Sequence, residues 1–161
     1  MCTYDSLEDY QEILTFTIQG RPATKKTSQR VVRIGRMTKI LPSITYEKYE
    51  KSCKETCENI WKNAGNEPID CGIGIYYKVY LDSYIIGDST GYFQAIGNIL
   101  EKFGVISNDM WLHWLSDDTH AISIDKANPR CEIKIVRYRH PYEKFRMEKI
   151  AKENKKKKTP V

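Results

Sequence analysis

Three groups of acids in the second half of the chain have the residue types and the surroundings for chemistry: Asp88, Asp109 and the pair Asp117–Asp118. Asp88 stands in "IIGDSTGYFQAIGNIL" (85–100), just before two hydroxyl residues, a glycine and a run with helical periodicity. Asp109 follows that helix at the end of "GVISND". Two carboxylates that converge form a hard oxygen site for Mg²⁺ or Mn²⁺. Such an ion polarises a phosphodiester and lowers the pKa of a bound water. The same residues have a plainer reading. Asp88, or better Ser89 or Thr90, can N-cap the helix, and Asp109 can be a turn residue after Asn108. Spacing alone leaves both open, because topology decides whether Asp109 reaches Asp88.

Cations gather at the other end of the sequence. From Gly20 to Lys39 the chain carries Arg21, Lys25, Lys26, Arg30, Arg33, Arg36 and Lys39, and no acid. The C-terminus is basic again in "AKENKKKKTPV", within an overall net charge of +5. Two basic segments around a more acidic middle point to a polyanion, most simply nucleic acid. A solvated charged tail is the plainer account of the lysine run.

Other constellations are poorer. Five cysteines (Cys2, Cys53, Cys57, Cys71, Cys131) include no CxxC pair. Cys53 and Cys57 share a helix face, but nothing nearby completes four metal ligands. Buried, reduced thiols are expected, and with them a reducing compartment. His113 and His120 have no partner pattern that would orient either ring. No stretch approaches the roughly 20 apolar residues of a membrane helix. "MCTYDSLEDYQEI" has acids where a secretion signal has a basic region. A cytoplasmic location is therefore expected.

At 161 residues the chain is the size of one domain. "EILTFTIQG" alternates as a strand, with Leu14, Phe16 and Ile18 on one side. "VVRIGRMTKIL" predicts two short strands turning at Gly35. Ser43 is placed to cap a helix burying Tyr46, Tyr49, Cys53, Cys57 and Ile60, closed by Gly65. "CGIGIYYKVYL" predicts a strand with Ile73, Ile75, Tyr77, Val79 and Leu81 on one face. A second helix over 90–103 is expected to bury Phe93, Ile96, Leu100 and Phe103. "MWLHWL" (110–115) and "RCEIKIVRY" are further strands, the first a buried strand or an aromatic patch for a protein partner. The order β-β-β-α-β-α-β-β predicts an α+β fold: a single domain, mixed β-sheet with two packed α-helices. The expected division is an N-terminal segment 1–12, a domain 13–140 and a basic tail 141–161, the tail a short helix fading into disorder.

Three blocks, in order, resemble the phage-type branch of the RusA family of Holliday junction resolvases. They are "GRPATKKTSQRVVRIGRMTKILPSITYEKYE" (20–50), "GDSTGYFQAIGNILEKFGVISND" (87–109) and "DKANPRCEIKI" (125–135). The resemblance implies a RusA-like fold and a homodimeric, Mg²⁺-dependent endonuclease that resolves four-way DNA junctions by paired symmetric nicks. It implies Asp88 and Asp109 as metal ligands, with Mn²⁺ as a substitute ion, and Thr90 where the family's middle acid stands. Lys26 would assist catalysis. Arg21, Lys25, Lys26, Ser28, Gln29, Arg30 and Arg33 would contact DNA. The chain departs from the family pattern at Thr27, Gly91, Gln94 and Asn98. Those departures define a second expectation: a RusA-like protein without catalysis that binds branched DNA or interferes with a protein partner.

Overall fold

Alternating apolar residues give strand β1 (Glu12–Gln19) its inward side, with Ile18 fully buried in the computed structural model. That structure describes residues 4–26, 29–65, 67–85, 87–115, 121–145 and 148–149. A hairpin follows, β2 (Arg30–Ile34) and β3 (Met37–Leu41), turning at Gly35 with φ 62°. It forms a two-stranded sheet of its own. Helix α1 (Ile44–Asn63) starts at Ser43, whose hydroxyl accepts from Tyr46 N, and buries Tyr46, Tyr49, Cys53 and Cys57. Gly65, at φ 83°, lets the chain leave it.

Strand β4 (Ile73–Leu81) is the centre of the main sheet, and helix α2 (Ser89–Lys102) follows it. A 3-10 turn (Asp109–Trp111) leads into β5 (Leu112–Trp114), then come β6 (Ile122–Ile124) and β7 (Arg130–Arg137). The sheet runs β1-β7-β4-β5, with β6 also on β4. β7 is antiparallel to both β1 and β4, whereas β5 and β6 run parallel to β4. The fold is thus α+β, one domain with a mixed sheet. The core joins the inward residues of β4 and β7 to the buried stripes of α1 and α2.

Several expectations are corrected in detail. The 110–115 segment is not one strand: Asp109–Trp111 is a 3-10 turn, and only Leu112–Trp114 pairs. Trp111 is buried and anchors the turn, while Trp114 lies at the surface against Tyr77 and Phe93. A third strand after α2, β6, is too short to stand out from its surroundings in sequence. Helix α2 buries Tyr92, Ala95, Ile96, Ile99 and Leu100, leaving Phe93 and Phe103 half-buried. The buried face is therefore turned toward Tyr92 and Ile99. Ile13 is the extra residue of a β-bulge between Glu12 and Leu14.

Cys53, Cys57, Cys71 and Cys131 are buried, and burial pushes Cys53 and Cys57 up to about 12. Those two thiols stay protonated at neutral pH. The expected domain limits enclose less than the fold does. Tyr10 N donates to Arg137 O at 2.7 Å, and Arg139 N to Asp9 Oδ1 at 3.1 Å, so residues before 13 belong to the sheet's end. Beyond 140, Glu143 pairs with the buried Arg137. The tail's lysine run lies outside the described residues, as do Cys2, Asp117, Asp118 and His120. No helix among the described residues is long and apolar enough to cross a membrane.

Candidate nucleic-acid interface and carboxylate site

The residue that caps α2 is Asp88, not Ser89 or Thr90: its Oδ2 accepts from Gly91 N at 3.2 Å. A β-region backbone at Asp88 (φ −66°, ψ 135°) aims the carboxylate back at the first turn. Ser89 is the first residue of the helix proper, and its carbonyl accepts from Tyr77 Oη at 2.6 Å. That phenol is pushed up to about 12, first by burial and then by the charges of Cys131 and Asp88. Asp88 itself remains partly open to solvent, and one capping bond leaves lone pairs on both oxygens.

The loop before Asp88 is tightly held. The Arg21 guanidinium pairs with Asp82 and donates to Ser83 Oγ at 2.8 Å and Ile85 O at 3.3 Å. Gly87 N donates to Tyr92 Oη at 3.2 Å. Thr24, nearly buried, lies under both Gly87 and Gly91. A Cβ at Gly91 would stand 3.1 Å from the Thr24 methyl, so this glycine lets the basic loop approach the helix. Arg21 thus positions the loop that carries Asp88, and its guanidinium is already engaged.

Lys25, Lys26 and Gln29 face Gly91, Gln94 and Asn98 of α2 across a cleft of about 260 Å³. Lys25 Nζ donates to Asn98 Oδ1 at 3.3 Å, and Asn98 Nδ2 donates to Gln94 O at 2.6 Å. A neutral amide orients Lys25 without pairing its charge, and Glu47, Glu50 and Glu101 line the cleft on its other side. Among the described residues neither Lys25 nor Lys26 joins an ion pair, and both are exposed. Arg30 is different: it pairs with Glu47 at 2.6 Å and donates to Pro42 O at 3.0 Å, tying β2 to α1. Arg33 is exposed on the β2–β3 hairpin, away from that pair. Ser28 and Thr27 lie outside the described residues.

Asp109 opens the 3-10 turn on the same helix. Its Cβ lies 3.8 Å from where a Cβ of Gly97 would stand. Trp111 fixes the turn: its buried indole donates from Nε1 to Asp70 Oδ1 at 3.2 Å, which also receives Ser107 Oγ. Thr90, Gln94, Gly97 and Glu101 recur at helical spacing, so one flank of α2 leads from Asp88 to Asp109. Residues 88 and 97 are about 13 Å apart along the axis, at 1.5 Å per residue. Gln94 stands about two-thirds of the way from 88 to 97.

The chain matches no protein-family model and no curated protein.

The oxygen donors on this flank are of the right kind for Mg²⁺, which one or two carboxylates commonly hold while it keeps several waters. A denser cluster is not assembled: no three His, Cys, Asp or Glu come together among the described residues. Sequence reasoning missed Thr24, Asp82, Asp70 and Tyr92, which position the site without taking part in it. Only the small residues Gly87 and Gly91 signalled a close approach at the helix start.

Proposed function

We propose that this protein binds four-way DNA junctions in the manner of a RusA-type endonuclease, as a homodimer, with Lys25 and Lys26 on a backbone phosphate. The reading is carried by one observation. Two segments more than sixty residues apart meet so that Lys25 and Lys26 line a cleft with Gly91, Gln94 and Asn98, and the N–H of Gly91 donates to the Asp88 carboxylate. A phosphate in that cleft would lie one residue's breadth from Asp88, which borders Gly91. Asp109, beside Gly97, stands too far along α2 to share an ion with Asp88, so the expected convergence of the two carboxylates is not seen. Asp88 alone, with water completing the shell, would hold Mg²⁺ or Mn²⁺, which would supply an activated water and charge neutralisation. The chain's own part is to orient the strand, hold the phosphate with Lys25 and Lys26, and stabilise added negative charge there.

A second reading has an observation of its own. The helix start offers the Asp88 carboxylate and a Thr90 hydroxyl, and the neutral Gln94 and Asn98 stand where further charge would assist catalysis. The protein would then bind junctions without cutting them, and act by occupying them or by engaging a protein partner. A nicking assay on a synthetic four-way junction, with and without Mg²⁺ or Mn²⁺, separates the two. Paired nicks that need the ion and vanish in Asp88→Asn support the endonuclease. Tight, salt-sensitive binding with no nicks at any ion concentration supports the binder.

A further inference from the structure

The β2–β3 hairpin has no place in the main sheet and little cover of its own. Val31, Ile34, Met37 and Ile40 are 73%, 52%, 61% and 67% exposed. Cross-strand pairing sets Val31 beside Ile40 and, at the tip, Ile34 beside Met37. These pairs are an odd number of residues apart along each strand, so they lie on opposite faces of the ribbon. An isolated two-stranded ribbon is marginal in water, and apolar pairs bare on both faces call for a partner that surrounds it.

Charge identifies that partner. No Asp or Glu occurs between Glu12 and Glu47, and the ribbon and its turn carry Arg33, Arg36 and Lys39. None of these three is in an ion pair among the described residues. A second copy of this chain docked about a two-fold axis would bring like charges together and cover only one face. A DNA groove suits both features, since the major groove admits a two-stranded β-ribbon and apolar side chains can wedge into a base step.

We propose that the hairpin is a DNA-gripping arm. Arg33, Arg36 and Lys39 lie on the phosphates of a duplex arm, and Ile34 and Met37 at the tip pack against bases at a step opened beside the branch. This rests on the junction-binding reading and adds a binding surface outside the Asp88 cleft.

The test uses the full chain and a four-way junction with 2-aminopurine beside the branch, titrated at several salt concentrations. Arg33→Gln/Arg36→Gln/Lys39→Gln is expected to weaken binding and to lower the salt-dependence slope by about 0.9 for each phosphate no longer neutralised. Ile34→Ser/Met37→Ser is expected to keep affinity within about tenfold of wild type and to lose the fluorescence rise that reports unstacking. Circular dichroism checks the fold, and Arg36→Gln alone provides a milder variant at the turn. Wild-type binding that none of these variants alters overturns the arm while leaving the cleft reading intact. A wild-type chain that binds no DNA overturns both. Loss of a dimer in Ile34→Ser/Met37→Ser, seen by sedimentation with DNA binding unchanged, assigns the ribbon to self-association and overturns the arm.

Discussion

At Asp88 one carboxylate serves both as helix cap and as the proposed ligand, and substitution can separate the roles. Asn caps about as well as Asp, whereas Ala forfeits the cap at a cost of about 1 kcal/mol. Asp88→Asn is therefore expected to melt close to wild type, and Asp88→Ala several degrees lower, with both losing any ion-dependent nicking. Thermal melts beside the nicking assay check this. Equal melting of all three proteins would rule out a stabilising cap at this position. The neighbouring Lys25–Asn98 pairing works by the same logic of charge. Asn98 orients the lysine without neutralising it, so Asn98→Asp is expected to weaken DNA binding by placing a carboxylate on Lys25. Filter binding at fixed salt measures the change, and tighter binding by the variant would contradict it.

Elements show which parts of the sequence could be read and which could not. Helix α1 was legible throughout, because its cap, its buried stripe and its closing Gly65 are all local signals. Strand β4 was legible because alternation over nine residues leaves one register that buries Ile73, Ile75, Val79 and Leu81. The segment 110–115 was not, since Trp111 and Trp114 look alike in sequence but differ in partner: one meets Asp70, the other Tyr77 and Phe93. Asp88 as cap was in view but ranked below Ser89, which is the first residue of the helix proper, its carbonyl held by Tyr77, an interaction local pattern cannot show. At the start of β4, a Cβ on Gly72 would overlap Tyr138 O and Glu143 Oε1, the first of them backbone that cannot swing aside. Gly72→Ala is expected to destabilise the protein by about 1–3 kcal/mol, measured as a shift of the urea midpoint. An unchanged midpoint would contradict that packing.

Across the whole molecule, the residues after β7 are tied to the sheet by charge. Arg137 is 2% exposed, and its guanidinium holds Glu143 through two 2.7 Å bonds and reaches Gly72 O at 2.6 Å. Burial pushes Glu143 up, but hydrogen bonds from Arg137 and Gly72 N outweigh it and hold the carboxyl below its usual range. A depressed folded value means that the bridge stabilises at pH above the ordinary carboxylate range. Its contribution is lost as pH falls through the lowered value. Removing one partner of a fully buried pair costs about 3–5 kcal/mol, and less is expected here, where Glu143 is half-buried and Asp5 lies 3.7 Å from Arg137. Glu143→Gln is expected to lower stability at pH 7 and to match wild type more closely at pH 3, by urea unfolding at each pH. A deficit that is the same at both values would contradict the bridge.

Pairings such as Arg137 with Gly72, Lys25 with Asn98 or Arg21 with Asp82 join residues more than sixty positions apart, and no periodicity in the sequence signals them. The last two also assemble the proposed interface. The most direct test of that interface is the affinity of wild type and Lys25→Gln/Lys26→Gln for a four-way junction, measured across a salt series. Wild-type affinity is expected to fall steeply with salt, and the variant to bind more weakly with a slope reduced by about 2. Equal affinity and equal slope in the two proteins would mean that these lysines do not hold phosphate.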